Sequence, residues 1–222
     1  FNTLIYAVLT SATKTVLGLL LAVLLTSGIL WQGLLRSVVF FPVLVSTIGV
    51  GITFQALMHP TKGVINVLLE GIGIDGPAWL SDPALALYSV AFIDIWKGVG
   101  LATLIFIAGL AAISPDYYEA ARIDGATRTQ QFWRVTVPLV RPATVTVITL
   151  SLIGGLRSFD IIWATTKGGP GFASDVLASV IYKQYQAGFY GLSTAGNVIL
   201  FLLIALIIVP FTWWFSRREV DL

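Results

Sequence analysis

The chain has 222 residues and a formal net charge of +2 at pH 7; 57% of its residues are hydrophobic and 11% are charged. Because a soluble domain has about 25% charged residues, this composition predicts an integral membrane protein. The small net charge, with Lys and Arg scattered among loops, excludes a nucleic-acid-binding stripe. The sequence has no cysteine, so disulfides, thiol catalysis and cysteine metal sites are excluded.

The predicted elements are apolar stretches long enough to cross a bilayer as helices, which takes about 20 residues each. In chain order they are Leu4–Leu30, Ser37–Met58, Ala84–Ile113, Ala143–Thr166 and Ala195–Phe215. No linker, low-complexity tract or internal repeat separates them, so the sequence predicts one all-α domain over residues 1–222. Between the second and third spans, Val64–Gly71 has a helical apolar pattern and is expected to lie on the membrane surface.

The distribution of Lys and Arg predicts the orientation, because cytoplasmic loops are enriched in these residues. One face collects the arginines Arg36, Arg122, Arg128, Arg134, Arg141, Arg217 and Arg218. The other face collects Lys62, Lys167 and Lys183. The arginine-rich face, together with the C-terminus, is therefore expected to be cytoplasmic. Five crossings then place Phe1 outside, and because the chain does not begin with methionine, we expect a sixth helix upstream.

Ionisable and polar side chains within the spans are costly and usually face a bundle interior or a water-filled path. The candidate residues for a substrate path are Asp94, Lys97, Arg157, Ser158, Asp160 and Asn197. Lys14 in the first span lies at a similar estimated depth. A structural interpretation stays open, since pairs such as Asp94 with Lys97, or Asp94 with Arg157, would hold the bundle together. For Asn197 and Gln55, hydrogen bonds between helices are the alternative.

The loop between the third and fourth spans is predicted to begin with a short helix. Ser114 can cap this helix, and Pro115 suits its first turn, where a missing N–H costs nothing. Asp116 and Glu119 favour the positive end of the helix dipole. Gly125 can take the left-handed conformation that ends such a helix.

A second loop helix is predicted over Arg128–Val137. Thr127 followed by Gln130 is a capping-box pattern that starts it, and Pro138 and Pro142 are expected to stop it. These local rules leave two interpretations open: a loop that docks onto a partner protein, or a hairpin that lies on the membrane surface.

The loop sequence resembles a known family. Glu119-Ala120-Ala121, Gly125 and Val135-Thr136-Val137-Pro138 resemble the EAA loop of binding-protein-dependent ABC importer permeases, whose pattern spaces Glu-Ala-Ala, Gly and Ile-x-Leu-Pro in the same way. Val135 and Val137 replace the Ile and Leu of that pattern. Gly168-Gly169-Pro170 and the tail Trp213–Arg218 are similar to the sugar-uptake branch, of the maltose or glycerol-phosphate type, and to the first of its two paired permeases.

The resemblance implies the fold and the partners. It implies a type I ABC importer transmembrane domain in a bacterial or archaeal cytoplasmic membrane, with the loop 115–142 as its coupling element. The expected partners are an ABC ATPase dimer, a second homologous permease and an extracytoplasmic solute-binding protein. ATP and Mg would bind the ATPase, since this chain has no phosphate-binding loop motif, and we expect no cofactor, metal site or catalytic residue on the chain itself.

By position, the resemblance also implies the contact residues. Those expected to contact the ATPase are Glu119, Ala120, Ala121, Asp124, Gly125 and Ala126. Gly168–Gly171 and the aromatic stretch Tyr182–Tyr190 are candidate contacts for the solute-binding protein. Where relatives of the maltose type have polar amides for substrate, this chain has Gly, Arg, Ser and Asp, so Arg157 would also suit an anionic substrate.

Two other classes of protein fit the sequence less well. An ion-coupled secondary transporter would use Asp94, Lys97 or Asp160, but it leaves the loop spacing unexplained, and such folds usually carry inverted repeats. An intramembrane serine hydrolase needs a base beside its nucleophile. The single histidine, His59, lies at a membrane edge before Pro60, where an interfacial role is expected.

Overall fold

The structure is a computed structural model that describes residues 1–28 and 30–216. All regular elements in the described part are helical. In chain order they are α1 (Asn2–Thr26), α2 (Gln32–Leu44), α3 (Thr47–Leu57), α4 (Val64–Gly71), α5 (Ala86–Ala111), α6 (Pro115–Ile123), α7 (Arg128–Gln131), a π-helical turn (Phe132–Thr136), α8 (Val137–Leu139), α9 (Arg141–Leu156), α10 (Asp160–Thr165), α11 (Leu177–Gln186) and α12 (Tyr190–Ser216).

Three of the described helices, α1, α5 and α12, are long and apolar enough to cross a membrane. They confirm the first, third and fifth predicted spans. The predicted helix at Val64–Gly71 is confirmed as α4, with the same bounds, and its position on the membrane surface stays a prediction. Arg217 and Arg218, and with them the end of the tail pattern, lie outside the described residues.

The second predicted span is wrong as a single helix. Its two halves, α2 and α3, meet at an angle of 98°. Pro42 lies inside α2 near its end, where it cannot donate a hydrogen bond to the preceding turn. Ser46 then caps α3, its hydroxyl accepting from the backbone N–H of Gly49 at 3.5 Å, so that a new helix starts at once.

The fourth predicted span is also interrupted. It begins two residues earlier than predicted, as α9, and stops at Leu156; residues 157–159 are not helical before α10 resumes. A short polar run, Arg157-Ser158, lies in the gap. The long apolar stretch in the sequence therefore hides a break, because hydrophobicity records burial in lipid and not the continuity of the backbone.

The core forms where α1 packs against α5 and α9. Small residues allow this close approach, as is usual between membrane helices. A Cβ placed on Gly18 would lie 2.9 Å from the Cβ of Ala102, and one on Gly155 would lie 2.7 Å from the Cα of Ala7. In contrast, α12 packs mainly against α9 and α11 in the described part, and most of its apolar side chains are exposed.

Candidate functional site

The first helix of the loop between α5 and α9 has the predicted caps. The Ser114 hydroxyl accepts a hydrogen bond from the N–H of Asp116 at 3.3 Å, and Pro115 is the first residue of α6. The helix ends before Gly125, whose φ of +76° is in the left-handed region. A Cβ on Gly125 would meet nothing within 4 Å. Glycine is therefore favoured there by its backbone conformation alone.

The second loop helix also starts as predicted. Thr127 and Gln130 form a reciprocal capping box: the Gln130 N–H donates to Thr127 Oγ1 at 3.3 Å, and the Thr127 N–H donates to Gln130 Oε1 at 2.8 Å. The prediction that Pro138 stops this helix is wrong. The helical path continues through the π-helical turn to Leu139, because the wider turn accommodates a residue that has no N–H to donate. It ends at Val140, where the chain bends by 65° into α9.

Most of the predicted ATPase-contacting residues lie on one accessible surface. Glu119, Ala120, Asp124 and Gly125 are exposed, whereas Ala121 and Ala126 are half-buried. The sequence prediction omitted Ile123, which is 86% exposed at the end of α6. The sequence does indicate this exposure, because the isoleucine stands among charged residues at a predicted helix end. A large apolar side chain is unfavourable in water unless a partner covers it.

A hydrogen bond joins the two halves of the loop. The Tyr118 and Thr136 hydroxyl groups lie 3.1 Å apart, and the Gln131 amide donates to the backbone carbonyl of Ala126 at 3.0 Å. The exposed surface of α6 is therefore fixed relative to the π-helical turn and to the start of α9.

Within the bundle, the main charge pair differs from both predicted pairs. Lys14 Nζ on α1 lies 2.8 Å from Asp94 Oδ2 on α5. Lys97 instead donates to the backbone carbonyl of Val43 at 3.2 Å, where it satisfies a carbonyl in the last turn of α2. The predicted pairs of Asp94 with Lys97 and with Arg157 are wrong, because the approach of α1 brings an ammonium group closer than either.

A cavity of about 160 Å³ opens beside this ion pair, between α1, α5 and α9. Its polar lining comprises Lys14, Asp94 and Ser151, and two glycines, Gly98 and Gly154, add no side chain. A Cβ on Gly98 would lie 2.7 Å from Lys14 Cε. The glycine therefore makes the room that the Lys14 side chain occupies on its way to Asp94.

Three more of the predicted path residues, Arg157, Ser158 and Asp160, lie in or directly after the break between α9 and α10. Arg157 and Asp160 are exposed, and neither forms an ion pair within residues 1–28 and 30–216. The Ser158 hydroxyl donates to the hydroxyl of Tyr6 at 3.5 Å. Asp160 lies in the first turn of α10, where a carboxylate suits the helix dipole.

The two predicted interhelical amides differ in outcome. Gln55 donates to the backbone carbonyl of Thr165 at 3.1 Å and joins α3 to α10, which confirms the expectation. Asn197 is exposed and donates to the backbone carbonyl of Ser193 in its own helix at 3.2 Å, so it forms no interhelical hydrogen bond among the described residues.

At the opposite end of the bundle, aromatic rings form a chain of contacts from the α9–α10 break to the start of α12. Ring centroids are 5.6 Å apart for Phe159 and Trp163, 4.8 Å for Trp163 and Tyr182, and 5.3 Å for Tyr185 and Tyr190. Tyr182 and Tyr185 link the series at 6.4 Å. Tyr185 and Tyr190, at the α12 end of this series, are exposed, so their rings offer flat apolar faces to solvent or to a partner.

The lone histidine and the outer ion pair have local structural roles. His59 Nδ1 accepts hydrogen bonds from the N–H groups of Thr61 and Lys62, both at 3.3 Å. Lys183 Nζ lies 2.7 Å from Asp175 Oδ2 and fixes α11 to the preceding loop. No group of three His, Cys, Asp or Glu side chains that could hold a metal ion occurs in the described part of the chain.

The sequence matches a family profile described as binding-protein-dependent transport system inner membrane component, over residues 14–219. A similar relative is the trehalose/maltose transport system permease protein MalF of Thermococcus litoralis. It is 34% identical over 204 residues, which cover 92% of this chain and 69% of that protein.

Two solved structures have closely similar folds. One is the crystal structure of a bacterial ABC transporter involved in the import of the acidic polysaccharide alginate, with a TM-score of 0.90 and 25% identity, covering 99% of this chain and 78% of that chain. The other is a bacterial alginate ABC transporter in complex with alginate pentasaccharide-bound periplasmic protein, with a TM-score of 0.88 and 27% identity, covering 99% and 77%. The predicted fold class, an all-α type I ABC importer transmembrane domain, is confirmed.

Proposed function

This chain belongs to the family of binding-protein-dependent transport system inner membrane components, and from this premise we propose that it is the permease subunit of an ATP-driven importer of a saccharide. The family is one of transport components and not of enzymes. The observation that carries the proposal is the geometry of the loop, in which a capped helix ends at an exposed isoleucine and a left-handed glycine.

The loop is proposed to dock onto an ABC ATPase. Glu119, Ala120 and Ile123 share the exposed side of α6, where the small alanine lets a partner approach the backbone and the isoleucine offers an apolar anchor. Asp124 and Gly125 extend this surface into the turn. ATP-driven closure of the ATPase dimer would move the loop, and the bond between Tyr118 and Thr136 would carry that motion into α9.

A saccharide is the proposed cargo. The relative from Thermococcus litoralis is named for trehalose and maltose, and both solved neighbours are named for alginate. The residues of this chain that suit a saccharide are the hydroxyl of Ser158 and the charges of Arg157 and Asp160, which stand unpaired among the described residues at the α9–α10 break. Arg157 would favour an acidic sugar, because a guanidinium group binds a carboxylate in a bidentate manner.

Two further partners follow from the exposed surfaces. A second permease is proposed to cover part of α12, whose apolar face and Asn197 have little cover within this chain. A solute-binding protein is proposed to meet the opposite end, at Gly168–Gly171 and Tyr182–Tyr190. In that arrangement the loop and the C-terminus face the cytoplasm.

The ion-coupled secondary transporter is not favoured. Two of its three candidate groups are engaged, Asp94 by Lys14 at 2.8 Å and Lys97 by a backbone carbonyl. The third, Asp160, is exposed and forms no ion pair among the described residues, so it does not decide between the two functions. The family match also accounts for the loop spacing, which that alternative leaves unexplained.

The test is Gly125→Val in the transporter reconstituted with its ATPase and solute-binding protein. Valine is strained at a φ of +76°, so the turn would be distorted and the docking surface displaced. We expect substrate-stimulated ATP hydrolysis to fall by at least about tenfold, which corresponds to roughly 1.4 kcal/mol of lost coupling.

Gly73→Val is the matched control. Gly73 also has a positive φ, +79°, and a Cβ there would likewise meet nothing within 4 Å, but it lies after α4, away from the loop. This variant should keep normal stimulation. Normal substrate-stimulated ATPase activity in Gly125→Val, with the complex assembled, would contradict the proposed coupling role.

A further inference from the structure

A cleft of about 1030 Å³ lies between the loop and the ends of α1, α2 and α5 that face it. Three arginines line it from separate elements: Arg36 from α2, Arg122 from α6 and Arg128 from α7. The part of the wall that comes from α1 and α5 includes the apolar side chains of Val23, Ile107 and Leu110. The cleft is therefore amphipathic, with positive charge beside the loop and hydrocarbon beside the bundle.

The charge of these arginines is not balanced by the described part of the chain. Its ion pairs are Lys14 with Asp94 and Lys183 with Asp175, and no acidic residue lines the cleft. Three guanidinium groups around one space repel each other unless an anion lies between them. Arg122 and Arg128 are exposed, so water and salt screen part of this repulsion, but three guanidinium groups on one cleft with no acidic lining residue still favour an anion between them.

Arg36 supplies a second, independent observation. One of its terminal nitrogens donates to the backbone carbonyl of Leu25 at 3.0 Å and so caps the end of α1. Its Nε is buried and has no hydrogen-bond partner in the described part of the chain. A buried donor without an acceptor is costly, and none of the described residues accepts a hydrogen bond from this nitrogen.

We propose that this cleft binds the phosphate headgroup of an anionic phospholipid from the leaflet on the loop side. Arginine binds phosphate oxygens through paired N–H donors, and basic pockets between membrane helices are suited to phospholipid headgroups. The apolar wall favours a lipid over a soluble anion. Its side chains, Val23 of α1 and Ile107 and Leu110 of α5, would lie against an acyl chain, for which a soluble anion has no counterpart. Tyr118 and Thr136, which also line the cleft, add hydroxyl groups near the headgroup.

The site goes beyond the transport function proposed above. A headgroup held by Arg36, Arg122 and Arg128 would join α2 to both loop helices across a gap that direct protein contacts do not close. Anionic lipid would then stiffen the connection between loop and bundle, whatever cargo the transporter carries.

The experiment measures lipid retention by the complete transporter, purified from nanodiscs that contain equal amounts of phosphatidylglycerol and phosphatidylcholine, using native mass spectrometry. Wild type should retain phosphatidylglycerol preferentially. Each Arg→Gln change at positions 36, 122 and 128 should weaken retention about fivefold, and the triple change roughly 100-fold. Arg134→Gln is the matched control, because Arg134 is an exposed arginine of the same loop that does not line the cleft.

A charge-preserving triple Lys variant at the same positions separates lost binding from misfolding, and it should retain most of the lipid. Equal retention by wild type and the triple Gln variant would overturn the site. Thermal stabilisation by inorganic phosphate alone, equal in size to that by phosphatidylglycerol and lost in the triple Gln variant, would overturn the lipid assignment. None of these measurements depends on ATP hydrolysis, so failure here is distinguishable from failure of the proposed coupling.

Discussion

The loop and the mid-bundle ion pair are held together in opposite ways. In the loop, the two helix caps join residues two or three positions apart, Ser114 with Asp116 and Thr127 with Gln130, and the longer bond between Tyr118 and Thr136 joins its halves. In the bundle, the ion pair joins Lys14 to Asp94, which are 80 positions apart. The caps therefore depend on neighbouring residues alone, whereas the ion pair exists only once α1 and α5 have packed.

The helix caps and the ion pair also differ in how much free energy of unfolding is lost when one residue is replaced. A helix cap contributes about 1 kcal/mol and is exposed to water, so its loss is tolerable. A buried ion pair contributes little net free energy, yet removal of one partner costs about 3–5 kcal/mol because the other charge is left without compensation. The following substitutions test this contrast, with stability of the assembled complex as the common measurement.

The largest expected effect is that of Asp94→Leu. It leaves the ammonium group of Lys14, which is 8% exposed, without its carboxylate, and we expect a loss of about 3–5 kcal/mol. The double variant Lys14→Met/Asp94→Leu should recover most of this loss, since no buried charge remains. Thermal unfolding in detergent measures both. Additive losses in the double variant would show that the two residues do not act as a pair.

Gly98→Ala should have an intermediate effect. Its added methyl group would lie 2.7 Å from Lys14 Cε and would displace the lysine from Asp94, at a cost of about 1–3 kcal/mol. Gly154→Ala is the matched control, because this helical glycine lines the same cavity and a Cβ there would meet nothing within 4 Å. The control should unfold at or slightly above the temperature of wild type.

Thr127→Ala should have a smaller effect, about 1 kcal/mol, from loss of the cap at the start of α7. Thr127→Ser keeps the hydroxyl group and should restore stability. Hydrogen exchange of the N–H of Gln130, which donates to Thr127 Oγ1 at 3.3 Å, gives a local measurement. Protection of that amide equal to wild type in Thr127→Ala would contradict the role of the cap.

Arg157→Ala should have the smallest effect on stability, within about 0.5 kcal/mol, because its side chain is exposed and forms no ion pair within the described residues. Its effect should instead fall on transport, which we expect to drop severalfold in an intact complex if the guanidinium group contacts cargo. Uptake by proteoliposomes and size-exclusion profiles measure the two properties separately. Loss of assembly together with loss of uptake would identify a structural residue.

The same contrast explains how much could be predicted from the sequence. The caps, the turn at Gly125 and the surface helix α4 follow from neighbouring residues, so local rules were sufficient. The partner of Asp94 was missed because Lys97 on its own helix was the nearer candidate in sequence, and only the packing of α1 decides otherwise. The breaks near Ser46 and at residues 157–159 were missed for a related reason, since a hydropathy pattern does not report helix direction. The exposure of Ile123 was not predicted, because the family pattern specifies only its neighbours.

The two interrupted helices divide the bundle across its length. The segments α3 and α10 pack together, with Gln55 donating to the backbone carbonyl of Thr165. Along the chain, residues 45–46 link α2 to α3, and residues 157–159 link α9 to α10. Two of the membrane helices thus bend at non-helical residues, whereas α1 and α5 run through without a break. Because residues 157–159 interrupt the helix, a rotation of α9 about its own axis is not transmitted rigidly to α10.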